Sequence, residues 1–235
     1  MPGLTKNENR GLAKKEVDFL VLAEAYVGEY ASGKSEVAVN RALQLLSDAS
    51  GVTLADLDLV EPCYTLRPLQ DKLTKMGLKV ISWQTGDVFG LGETGGIIHP
   101  AVRWVLHSSG PVVLDVGYGA FGAKTLDLLE KNEEKDLRVY GVVNCGRPLT
   151  SSVEGIVDYV LSLGRIDGLV NNSHLGEETD EQFILESYEM VKKAADCLQL
   201  PLKATSVLPQ FAALAEENCD TSVWLLQRYM DKAFW

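Results

Sequence analysis

The chain has 235 residues, 46% of them hydrophobic, enough for one sizeable domain with a full core or at most two small ones. Its 22 basic residues against 33 acidic ones leave a net charge of -11, which works against non-specific binding to DNA, RNA or an anionic membrane surface. Any affinity for phosphate must therefore be built locally, by geometry.

Residues 1–15 are polar and lack periodicity, and are expected to form a mobile N-terminal arm ahead of a single domain over 16–235. A first strand is expected over 17–27 (VDFLVLAEAYV), then a helix over 34–48 with apolar residues at 37, 39, 42, 43, 45 and 46. Further along, strands are expected over 52–59, 79–83, 111–116, 138–144, 166–172 and 202–208. Helices are expected over 66–76, 99–108, 123–134, 151–163, 179–199 and 221–233. Several of the strands are near-continuous apolar runs, as strands buried on both faces should be. Repeated strand–helix alternation predicts an α/β fold: a mostly parallel β-sheet with helices on both faces. The stretch 85–96, TGDVFGLGETGG, has five glycines and breaks the rhythm, so it is expected to be a mobile loop: a lid, a partner surface or a flexible connector.

Between the first strand and the first helix lies Gly28-Glu29-Tyr30-Ala31-Ser32-Gly33-Lys34-Ser35, followed by Glu36. The spacing is G-x-x-x-x-G-K-S, the phosphate-binding loop pattern, and strand–loop–helix is the context its mechanism requires. Glycines let backbone N–H groups turn inward around phosphates. Lys34 would neutralise the β and γ oxygens, Ser35 would ligate Mg²⁺, and the helix N-terminus adds partial positive charge. A second acidic element should hold the magnesium shell, and Asp115 in PVVLDVGYG, at the end of a strand, is the candidate. Asp56 and Asp58 in TLADLDLVEP are two apart, hence on one side of a strand, and either could position an attacking water. His174 could flank a base or ribose or simply be surface, and Arg147 in NCGRP could reach a phosphate or anchor its own loop.

Cys63, Cys145, Cys197 and Cys219 form no C-x-x-C pair, which argues against a zinc or iron–sulfur site within one chain. Nothing resembling a signal peptide and no apolar run of membrane-spanning length is present, so free thiols and a cytoplasmic location are expected. In the tail, Val223, Leu226, Met230 and Phe234 recur near helical spacing beside Arg228, Lys232 and Asp231. That is too little positive charge for a surface anchor, so docking on the protein's own core is expected.

These motifs resemble the P-loop ATPases of the MinD/ParA/nitrogenase iron protein (SIMIBI) class over about residues 19–209. GEYASGKSEVAVNRAL resembles that class's nucleotide loop and helix, DLDLVEP its first switch strand, and LDVGYG its second magnesium-side strand. The resemblance implies that Asn172 in GLVNNSHLG reads adenine and that Pro209 in VLPQ packs against the base. As a set, the motifs look like a small nucleotide-binding branch of the class. Two departures stand out: Glu29 occupies the place where the class often has a lysine that reaches across a dimer, and no cluster cysteine follows LDVGYG. The guanine-reading N-K-x-D pattern is also missing, which favours ATP.

The resemblance therefore implies an Mg²⁺-dependent ATP-binding protein, a slow ATPase switch controlling a protein partner or its own association, with a homodimer as one form. Two alternatives stay open: an ATP-dependent small-molecule kinase or ligase on the same fold, and a nucleotide sensor that does not hydrolyse.

Overall fold

The structure is a computed structural model and describes residues 22–49, 51–58, 66–82 and 99–230. The expected N-terminal arm, the start of the first strand at 17–21, Cys63, the 85–96 glycine-rich loop and the tail from 231 lie outside the described residues. Eight strands form one sheet: β1 Leu22–Gly28, β2 Thr53–Leu57, β3 Lys79–Ile81, β4 Val112–Val116, β5 Asp136–Val143, β6 Gly168–Asn171, β7 Leu202–Val207 and β8 Ser222–Leu225. Their order is β3-β2-β4-β1-β5-β6-β7-β8 and every pairing is parallel, which places all strand C-termini along one edge.

Alternation along the strands decides what each face buries. Ala23, Ala25 and Val27 of β1 join one apolar cluster with Ala55, Leu57, Val112, Leu114 and Val116. Tyr26 points the other way, into a second cluster with Leu54, Val113, Val142 and Val170. The helix α1, Lys34–Asp48, covers that second face through Val37, Ala38, Ala42 and Leu45. The 3₁₀ segment Pro100–His107 covers the first through Val102, Val105 and Leu106. So helices lie on both faces, as the alternation predicts.

α1 is pinned by a buried charge pair. Arg41 donates from Nε (2.8 Å) and Nη2 (3.0 Å) to Glu24 on β1, and the Tyr26 hydroxyl donates to the same carboxylate at 2.8 Å. Removing one partner from such a pair strands a charge and costs about 3–5 kcal/mol, so it fixes α1 over β1. Further elements are α2 Gln70–Lys75, α3 Gly119–Lys124, α4 Val153–Ser162, α5 Glu181–Leu198 and α6 Ala212–Asn218. Two start at side-chain caps: Ser152 accepts from Gly155 N–H, and Asp180 accepts from Phe183 N–H.

Three expectations are corrected. The expected helix over 123–134 is a short α3 continued by the 3₁₀ turn Thr125–Leu128. The 99–108 helix is wound as 3₁₀. Of the expected helix over 221–233, the described part is strand β8 followed by residues 226–230 in no regular element, while α6 lies just before it, where no helix is expected. β7 offers an open edge, and Val223 and Trp224 are good strand formers, so ladder pairing outcompetes a weak helical periodicity. The tail still docks on the core: Leu226 and Tyr229 are buried, and Met230 packs against the cluster under α1.

Candidate functional site

The 28–33 loop rises from β1 at the C-terminal edge and needs its glycines for steric reasons. A Cβ on Gly28 would lie 2.5 Å from Val142 O and 2.7 Å from Ser32 Oγ. Gly33 has φ +82°, and a Cβ there would lie 2.2 Å from Asn172 Nδ2. Ala31 also takes a left-handed conformation, φ +55°, and Ser32 N–H closes a turn onto Glu29 O at 3.1 Å. Gly33 is the N-cap of α1 and offers no side chain, so the first-turn amides carry no side-chain cap. Lys34 follows immediately, almost fully buried, its ammonium 5.9 Å from the centre of the Tyr118 ring.

Strand register brings the acids to the loop. Asp115 on β4 is paired with Tyr26 on one side and with Asp56 on the other. Asp58 lies just past β2, its N–H donating to Asp56 Oδ1 at 2.9 Å. A Cβ on Gly117 would lie only 3.0 Å from Asp58 Oδ1, so this carboxylate rests on the backbone beyond β4. Asp115 is wholly buried, and among the described residues neither of its oxygens has a hydrogen-bond partner. Burial pushes its pKa well above the carboxylate range; Asp56 and Asp58 add to this, whereas Lys34 and the nearby Ser35 hydroxyl oppose it. A buried, unpartnered carboxylate among two others is short of positive charge. A divalent cation at Ser35 and Asp115 would supply it, and the donor set is the oxygen chemistry that magnesium accepts.

Beyond the loop, a pocket opens between the ends of β6 and β7. Glu36 and Asn172 border it on the loop side, Leu208 and Phe211 on the β7 side, and Leu226 and Arg228 come from the tail. Asn172 is committed on two sides: Nδ2 donates to Ser32 O at 2.8 Å, and Oδ1 accepts from Ser206 Oγ at 2.7 Å. It braces the loop from behind while lining the pocket. Pro209 is exposed and begins the 3₁₀ turn Pro209–Phe211, which leaves Phe211 as the ring facing the cavity. His174 also lines it and is held neutral, its pKa lowered to about 4 by burial and then by Arg147 and Arg228.

Glu36 and Glu29 turn away from the loop's concave side. Glu36 accepts from the N–H groups of Tyr229 and Met230, and Asn40 exchanges two hydrogen bonds with the Gln227 backbone, so the tail is stitched to α1. Glu29 accepts from Leu149 N–H at 3.2 Å and from the Thr150 hydroxyl at 2.9 Å. The exposed ring of Tyr30 meets Tyr118 edge-on, with 5.6 Å between centroids.

The structure thus gathers Gly28 to Glu36, Asp56, Asp58, Asp115 and Asn172 at one sheet edge. Sequence reading missed Phe211 and Arg228. Phe211 carried a signal, two residues past Pro209. Arg228 had none, because only the tail's path over α1 brings it to the pocket.

No protein-family model and no curated protein matches the chain. None of the described helices is long and apolar enough to cross a membrane. Cys145, Cys197 and Cys219 are free thiols.

Proposed function

We propose that this chain is a P-loop protein of the MinD/ParA/iron protein kind that binds Mg·ATP at residues 28–36 and hydrolyses it slowly, as a switch for a partner or for its own association. The observation that carries the reading is Asp115, a buried carboxylate with no hydrogen-bond partner among the described residues, registered beside the strand that feeds a glycine loop and its lysine.

Backbone amides of the loop and of the first turn of α1 would donate to the phosphates, and Lys34 would neutralise them. Ser35 and Asp115 would hold the magnesium, which when bound offsets charge on the β- and γ-oxygens. Asp58 is the carboxylate we assign to orienting the attacking water, because it lies past the strand ends, whereas Asp56 Oδ1 receives the Asp58 amide. The base would enter the pocket beside Asn172 and Phe211. Nucleotide state would act on the two switch segments that begin at Asp58 and Gly117, since the γ-phosphate would lie near them.

A second reading, ATP-dependent modification of a small molecule, is favoured by one observation. A separate groove runs along β3, lined by Ser82, His99, Trp104 and His107, and the buried Ser82 hydroxyl has no hydrogen-bond partner among the described residues. Phosphate release with and without a metabolite panel separates the two readings.

The test of nucleotide binding is a melting scan. Ligand at a hundredfold excess over Kd stabilises by about 2.7 kcal/mol. For a domain of this size that raises the melting temperature by about 5–10 °C. Mg·ATP should produce this rise, GTP a smaller one, and Lys34→Ala should lose most of it. No rise in the wild-type protein with any nucleotide would sink the proposal.

A further inference from the structure

We propose that Arg147 supplies, within the same subunit, a positive charge to the bound phosphate chain, and that Glu29 is the residue that positions it. The inference rests on the nucleotide reading above and assigns a residue that reading leaves unused.

Arg147 precedes the 3₁₀ turn Pro148–Thr150, at the C-terminal end of β5, the strand next to the loop-bearing β1. Two residues of that turn are fastened to the glycine loop: Leu149 N–H and the Thr150 hydroxyl both donate to the Glu29 carboxylate. The other end is fixed as well, because Arg147 N–H donates to Asn144 O at 2.9 Å and Asn144 Oδ1 accepts from Gly146 and His174 N–H. The turn is therefore braced to the phosphate loop on one side and to the pocket wall on the other.

Among the described residues, no acid answers the guanidinium. Arg147 makes no ion pair among the described residues, and its Nε is buried without a hydrogen-bond partner. Its charge is felt at His174, whose Nε2 would lie 3.6 Å from a Cβ on Gly33, the last loop glycine. In a chain of net charge -11, an arginine with no ion pair among the described residues, at the start of a turn fastened to the glycine loop, is matched to an anion brought in from outside. A polyphosphate has the charge and the acceptor geometry; a neutral base or sugar does not.

This also accounts for Glu29. An acid at the second loop position would repel phosphate if it pointed inward. Here its two oxygens are occupied by the turn, so it acts as a strut that carries a cation toward the site. A charge delivered this way needs no second subunit.

The experiment compares wild type, Arg147→Ala, Arg147→Lys and Glu29→Gln for binding of Mg·ATP, inorganic tripolyphosphate and adenosine. Arg147→Ala should weaken Mg·ATP and tripolyphosphate at least tenfold and leave adenosine within twofold. Arg147→Lys should recover part of the loss, and Glu29→Gln should show a smaller loss with the same ligand pattern. Mixing Arg147→Ala with excess Lys34→Ala, which carries an intact Arg147, should restore nothing. Wild-type affinity in Arg147→Ala, or equal weakening of adenosine, would overturn the role of Arg147 while leaving the nucleotide reading intact. Recovery on mixing would overturn delivery within the subunit. Absence of Mg·ATP binding in the wild type would remove both the inference and the reading beneath it.

Discussion

Replacing Asp115 by Asn should make the empty protein more stable and the nucleotide-bound protein less so. The side chain is fully buried and both oxygens lack hydrogen-bond partners among the described residues, so its charge is a cost in the folded state until a cation arrives. An uncompensated buried charge costs about 3–5 kcal/mol. Lys34 offsets part of this, so removing the charge should return on the order of 2 kcal/mol. At roughly 2–4 °C per kcal/mol for a domain of this size, the melting temperature should rise by about 4–8 °C in EDTA. In saturating Mg·ATP the order should reverse, because the variant loses its magnesium oxygen and most of the ligand's stabilisation. The sign can be checked by pH. A carboxyl whose folded pKa is raised destabilises progressively as pH climbs from the ordinary carboxylate value to the folded one, and Asp115→Asn should remove that slope. Calorimetric scans of both proteins, with EDTA and with Mg·ATP, make the comparison. An Asp115→Asn protein that melts below wild type in EDTA, or that keeps the full Mg·ATP rise, would refute the reasoning.

Asp58→Ala should abolish phosphate release while leaving Mg·ATP affinity within a few-fold, and Asp56→Ala should perturb release less; steady-state phosphate assays beside titration calorimetry decide, and the reverse order would reassign the water. Asn172→Ala should weaken tripolyphosphate as well as ATP, because the lost amide braces Ser32 O; each lost bond is worth about 1 kcal/mol, or several-fold in Kd. Loss for ATP alone would make Asn172 purely a base reader. His174 has a folded pKa of about 4 against 6.5, so the unfolded chain binds its proton first and stability falls as pH drops through that window. His174→Gln should flatten the unfolding free energy from denaturant melts against pH between about 6.5 and 4, by up to about 3 kcal/mol, and an unchanged slope would mean that His174 is solvated.

Much of the site was legible because its determinants are local. The run from Gly28 to Ser35 specifies a strand end, two tight backbone positions and a helix start within eight residues. The first helix falls where its periodicity and its preceding glycine place it, at Lys34–Asp48. The existence of β1 to β7 was equally local, since both-face burial writes a continuous apolar run.

Neighbours in space were not legible. Sequence alone put Asp56, Asp58 and Asp115 at strand ends, but only the β2-β4-β1 order makes them one cluster with Lys34, because strand order is settled by long-range pairing. The tail shows the limit most clearly. Val223, Leu226 and Met230 carry helical spacing, yet the open edge of β7 and the carboxylate of Glu36 draw this segment into a strand and a strap across α1. Glu29 is the counterpart within the motif: its position could be read from the sequence, but its carboxylate faces a turn some 120 residues away. Local sequence chose the elements, because propensity and periodicity act over a few residues. The tertiary structure chose their partners, because a charge or an open strand edge is satisfied by whatever the fold brings next to it.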